Sequence, residues 1–102
     1  MSAAASLTRA IIANIGTFGA AAAIEEICSR PWASATFTGA RHRFRLRLDG
    51  PSASAAADGF LRGLAEREFD LAGHILADIG LVQDLREDGV RLVLEALTVE
   101  MD

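Results

Sequence analysis

The sequence predicts an α+β fold, with elements in the order α-β-β-α-β-β: an antiparallel sheet of two β-hairpins, with two helices packed on one face. Three observations carry that expectation. Asp88-Gly89 separates two apolar runs and suits a two-residue type I′ turn, which needs positive φ at both central positions. Over residues 41–48 polar and apolar side chains alternate strictly, the period of a strand with one buried face. Leu7, Ile11, Ile15, Phe18 and Ala22 recur at steps of three and four, the spacing of one helix face.

Residues 3–29 are accordingly expected to be helical. One helix kinked at Gly16-Thr17 is preferred over two short ones in which Gly16 closes the first and Thr17 caps the second. Pro31 ends the segment by pushing Arg30 out of the α region. Within residues 33–49 the alternation changes parity at Gly39-Ala40. A Gly-X type II′ turn there sets Phe37 opposite His42 and Ala35 opposite Phe44. It also puts Thr38, Thr36, Ser34 and Trp32 opposite Arg41, Arg43, Arg45 and Arg47. A bulge in one long strand is the alternative.

Gly50-Pro51-Ser52 reads as a turn into a helix capped at Ser52 or Ser54. Its apolar stripe of Ala57, Phe60, Leu61 and Leu64 runs to about Arg67. Gly59 and Gly63 lie beside that stripe and together cost a helix about 2 kcal/mol, which implies a closely approaching neighbour. From Phe69 the period becomes two and continues to Glu87, with a bend or bulge expected at Gly73 or Gly80. Residues 90–99 form the last strand. A two-residue turn pairs Leu85 with Leu92, Leu81 with Ala96 and Ile79 with Thr98. One face of this hairpin then carries Ile79, Leu81, Leu85, Leu92 and Leu94. The other carries Leu76, Val82, Val93, Leu97 and Val99.

At 102 residues the chain is expected to form one domain, 1–102. Hydrophobic residues make up 51% of it, yet 20 of them are alanine, so the bulky core is thinner than the percentage suggests. A net charge of −4 argues against nucleic acid and anionic membrane surfaces as partners. All ten cations are arginine and there is no tyrosine, which removes Schiff-base and P-loop lysines and tyrosine acids from consideration. Cys28 is the single cysteine, so no intrachain disulfide can form. The apolar stretch over residues 10–24 is interrupted by Asn14, Gly16 and Thr17, too short and polar to span a bilayer. A cytoplasmic location is the default expectation.

The common nucleotide, hydrolase and metalloprotease signatures are absent from the sequence, so no catalytic residue, cofactor or metal site is assigned. Candidate ligand-binding residues remain. Arg41, Arg43, Arg45 and Arg47 share one strand face at intervals of about 6.6–7 Å, and guanidinium forks match carboxylates and phosphates. The plainer reading is a solvated face that discourages edge-to-edge pairing. His42 has the parity of Phe44 and Leu46 and is expected to face inward. His74 has the parity of Asp70 and Asp78 and is expected on the opposite side of its strand from Ile75. Trp32 is a candidate platform or subunit anchor. Cys28 reads as a small buried hydrophobe, and Glu25-Glu26 as a solvated helix end.

These features favour a small homodimeric binding module for a protein partner or a small acidic ligand, because apolar residues on both faces of the last hairpin exceed what two helices cover. The runner-up is a small enzyme with a site between subunits, using His42 or His74 with Asp78 or Glu95. Convergence of both histidines on one cavity would favour that alternative.

Overall fold

The computed structural model describes residues 2–101. The Ser2 side chain accepts a hydrogen bond from the Ala5 amide at 3.1 Å, satisfying one of the free donors at the start of helix α1 (Ala3–Gly16). Leu7, Ile11 and Ile15 recur every fourth residue and are fully buried, so the predicted apolar face is the packed one. The chain continues through β1 (Ala21–Ala33), β2 (Thr38–Asp49), α2 (Ala53–Leu61), a single 3₁₀ turn at Leu64–Glu66, β3 (His74–Leu85) and β4 (Val90–Glu100). The four strands form one antiparallel sheet in the order β1-β2-β4-β3. The α+β class and element order are those expected. Alternate residues of the central strands, Phe44, Leu46 and Leu48 with Leu92 and Leu94, are fully buried. They pack with the apolar faces of α1 and α2 as one cluster. The helices therefore cover one face of the sheet and leave the other open.

The N-terminal region departs from the expectation. No kinked helix runs to residue 29: α1 stops at Gly16, Gly19 takes φ 96° to reverse the chain, and residues 21–33 are a strand. Four consecutive alanines at 20–23 favour a helix locally, but pairing along the edge of β2 outweighs that preference. Pro31 is accommodated because β1 is an edge strand, where a missing N–H need not break a ladder bond. The first hairpin turns at residues 34–37, not at Gly39-Ala40. Ser34 donates its amide to the Phe37 carbonyl at 2.8 Å, and its hydroxyl accepts from the Phe37 amide at 3.1 Å. Consequently Ser29, not Phe37, lies opposite His42, and Ile27 lies opposite Phe44. Gly39 is instead a site of close approach: a Cβ there would collide with the Thr98 carbonyl oxygen and crowd the Trp32 indole.

The second hairpin turns where predicted, with Asp88 at φ 55° and Gly89 at φ 97°. Its register is one residue off the two-residue expectation, pairing Leu85 with Arg91 and Gln83 with Val93. Irregularities between Leu81 and Gln83 and between Leu76 and Asp78 then shift it twice more, giving Leu81↔Leu94, Ile79↔Ala96 and Leu76↔Thr98. Each shift moves side chains to the other face. Leu76 thus joins the core, while Leu85 shares the open face with Arg91.

Helix α2 is shorter than expected, ending at Leu61. Gly63 does not mark a close approach: it adopts φ 72° beyond the helix, with open space where a Cβ would lie. Gly59 does have a close neighbour, the Phe18 ring. Arg67 closes this corner. Its guanidinium donates to the carbonyls of Phe60 and Arg62 and to Asn14 Oδ1 at 2.5, 2.8 and 3.1 Å, and it stacks over the Phe18 and Phe60 rings. A cation at these free carbonyls complements the helix C-terminus and ties α2 to α1.

Candidate functional site

The open face is built by strand alternation. Since Phe44, Leu46 and Leu48 point at the helices, Arg41, Arg43, Arg45 and Arg47 must point away from them. Arg41, Arg43 and Arg45 are exposed and Arg47 is half-buried. Cross-strand partners share a face, so the register completes the surface row by row. Arg47 stands beside Arg91, Arg45 between Glu26 and Val93, and Arg43 between Cys28 and Glu95. Arg41 lies between Arg30 and Leu97, and the end row runs Trp32, Gly39, Val99, Ile75.

Acidic neighbours neutralise most of the stripe. Arg43 reaches Glu95 at 3.3 Å, Arg45 reaches Glu26 at 3.8 Å, Arg47 reaches Asp49 at 2.9 Å, and Arg91 reaches Glu25 at 3.2 Å. The hydrogen bond from Arg47 to Asp49 raises the guanidinium pKa, with the Asp49 charge as the next cause. Arg30 and Arg41 differ. They face each other directly across the strand pair, and neither makes an ion pair among the described residues. Two like charges placed opposite each other are unfavourable unless a counter-charge arrives. Trp32 is half-buried over Gly39, its indole N–H enclosed and without a partner among the described residues.

Cys28 is exposed on this face as a free thiol, not the buried hydrophobe expected. Glu25 and Glu26 lie at a bulge in β1, not at a helix end. Asp78 and Glu95 share the open face and line a recess of about 540 Å³ with Arg30, Arg41 and Arg43.

Both histidines lie on the helix-covered side. His42 faces inward as expected. His74 pairs with Glu100, and with Leu76, Ile79 and Thr98 it belongs to the inner side, while Asp78 faces out. The irregularity between Leu76 and Asp78 breaks the parity that had grouped His74 with Asp78. Within one chain the sheet therefore separates the histidine side chains from Asp78 and Glu95, which face the other way. The histidines instead line a cavity of about 450 Å³ at the start of α1, with Ser29, Thr98 and Glu100.

His42 is 3% exposed, with Nδ1 at 2.7 Å from the Ser29 hydroxyl and Nε2 at 2.9 Å from the Thr98 hydroxyl. Thr98 donates its own proton to the Ala40 carbonyl at 3.4 Å, so Nε2–H donates to Thr98 and Nδ1 accepts from Ser29. Burial lowers the His42 pKa, and the His74 charge lowers it further. The imidazole is thus held neutral. His74 Nδ1–H donates to the Ala72 carbonyl at 3.0 Å. Sequence reasoning missed Ser29, because it placed that residue in a helix, and Thr98, because its register was wrong. No group of three or more metal-ligating side chains occurs among the described residues. No described helix is long and apolar enough to cross a membrane.

No protein-family model matches the chain, and no curated protein matches it. Among solved structures it is similar to a chain in the virion of native gene transfer agent (GTA) particle. The match has a TM-score of 0.60 at 16% identity, and it covers 96% of this chain and 96% of that one. At that identity the likeness is one of fold.

Proposed function

We propose that this protein is a structural assembly module, a subunit that works by binding other protein chains, further copies of itself first. The observation that carries the reading is the uncovered sheet face. Its end row of Trp32, Val99 and Ile75 continues into Leu97 and Val93, and the helices pack entirely on the opposite side. Apolar side chains interleaved with charged ones across one surface are the make-up of a protein interface. The fold-level likeness to a chain from a virion, which is itself an assembly of many subunits, agrees with this role. A homodimer is the smallest such assembly. Sedimentation velocity across 1–100 µM tests the reading, with a concentration-dependent rise in mass as the expected result. A strictly monomeric protein over that range overturns it.

One observation favours a second reading, a small enzyme. The Ser29 hydroxyl donates to a neutral, buried imidazole that Thr98 orients, beside a cavity of about 450 Å³. A hydroxyl bonded to an imidazole acceptor is the starting arrangement of an activated serine nucleophile. Labelling by a fluorophosphonate probe that is lost in Ser29→Ala would support this second reading, and absence of labelling would remove it.

A further inference from the structure

The uncovered face alone does not fix how neighbouring copies are oriented on it. A twelve-residue strand spans about 40 Å, so the 46 Å length of the molecule runs along the strands. Each end of that axis carries charged groups without an ion-pair partner among the described residues. At one end stand Arg30 and Arg41, directly opposed and without an acidic partner among the described residues. Further along the same end Phe37, Ile75 and Met101 are 55%, 53% and 50% exposed around a recess of about 560 Å³ that Glu100 also lines. At the other end the β3–β4 hairpin presents Glu87 and Asp88, both exposed and neither in an ion pair among the described residues. Leu81, Val82 and Leu85 lie exposed on the β3 edge just before this tip.

We propose that the acidic β3–β4 tip of one copy docks against the Arg30–Arg41 end of a second copy, an inference that rests on the self-assembling reading above. The tip and the arginine pair lie at opposite ends of one sheet, so a molecule's own tip cannot reach its own pair. Two carboxylates meet two guanidiniums, and each charged set is flanked by exposed apolar side chains. Charge-assisted pairing relieves the Arg30–Arg41 opposition. Because the meeting surfaces are unlike, the contact is heterologous: each added copy presents a fresh tip and a fresh arginine pair, and association does not stop at two.

Sedimentation velocity of the full chain at 50 µM tests this with Arg30→Glu/Arg41→Glu, with Glu87→Arg/Asp88→Asn, and with all four changes together. Asn keeps the positive-φ position at residue 88 comfortable. Circular dichroism checks that each variant retains the wild-type spectrum. The wild type is expected to exceed dimer mass and to lose association as salt is raised. Each two-site variant is expected to associate at least tenfold more weakly. An equimolar mixture of the two should stop at a heterodimer, and the four-site variant should recover association to within a few-fold of wild type. If the wild type assembles and the two-site variants assemble equally well, the contact lies elsewhere; this inference falls and the assembly role stands. Folded two-site variants that dissociate, with no recovery in the four-site variant, also overturn the pairing. A monomeric wild type overturns both.

Discussion

His42 shows how a single polar residue in the core constrains the molecule. Its two ring nitrogens bridge hydroxyls from an edge strand and a central strand, so it fastens the end of β1 to β4 through β2. Protonation would convert Nδ1 from acceptor to donor and break the existing pattern with Ser29. The groups around it are Ser29, Thr98, His74 and Glu100. Because the folded pKa is lowered, the unfolded chain takes up the proton first as pH falls through about 6.5. Stability from this site is therefore complete above that pH and declines below it. Urea melts of the wild type should show a midpoint that falls between pH 7 and pH 5.5. His42→Asn should be less stable at pH 7 yet lack this part of the slope, whereas an identical slope in the variant would remove His42 as its source. Gly39 makes a comparable point about space. Gly39→Ala should destabilise by about 1–3 kcal/mol, since the new methyl group meets a backbone carbonyl that cannot swing away. A thermal melt unchanged from wild type would contradict that crowding.

Among the elements, α2 is the shorter of the two described α-helices and depends on its anchors. Phe60 is fully buried in the common cluster, so Phe60→Ala should cost about 3–5 kcal/mol in chemical denaturation. Arg67→Ala should cost about 1.5–3 kcal/mol by removing charged hydrogen bonds to the end of α2. Gly63→Leu should destabilise through its positive φ and not by a clash. Asn at the same position should then be far better tolerated than Leu, and equal losses for the two would restore a steric explanation. These elements differ in how plainly the sequence announces them. β2 and β4 alternate without interruption and each has one buried face, so their parity was legible, as was the Asp88-Gly89 turn. β1 was not, because its first residues are alanines with no strand signature, and an edge strand is defined by its neighbour more than by its own side chains. β3 was legible as a strand but not in register. Its two irregularities carry no residue signal beyond a nearby glycine, and each reverses the inward and outward sets that follow.

At the scale of the whole molecule the arrangement is one-sided, with helices and core on one face and a charged, partly apolar sheet surface on the other. Alternation alone made the outward direction of Arg41, Arg43, Arg45 and Arg47 legible. Their ion pairs were not, because they depend on which strands lie alongside. Arg30 could not be matched with Arg41 while residues 21–29 were read as helix. Nor could the histidine cavity be assembled, since it needs the true register of both hairpins. What the sequence did show is that apolar side chains remain after the helices are satisfied. Val93 and Val99 are the sharpest test, because both are half-buried on the open face and neither belongs to the core cluster. Val93→Glu together with Val99→Glu should leave the melting temperature within a few degrees of wild type. The same pair should abolish association, since a desolvated carboxylate in a contact costs several kcal/mol. Light scattering at tens of micromolar would then report monomer mass for the variant against a larger mass for the wild type. An assembled double mutant would show that this face is not the contact surface. A large drop in melting temperature would show that these valines serve the fold instead of the interface.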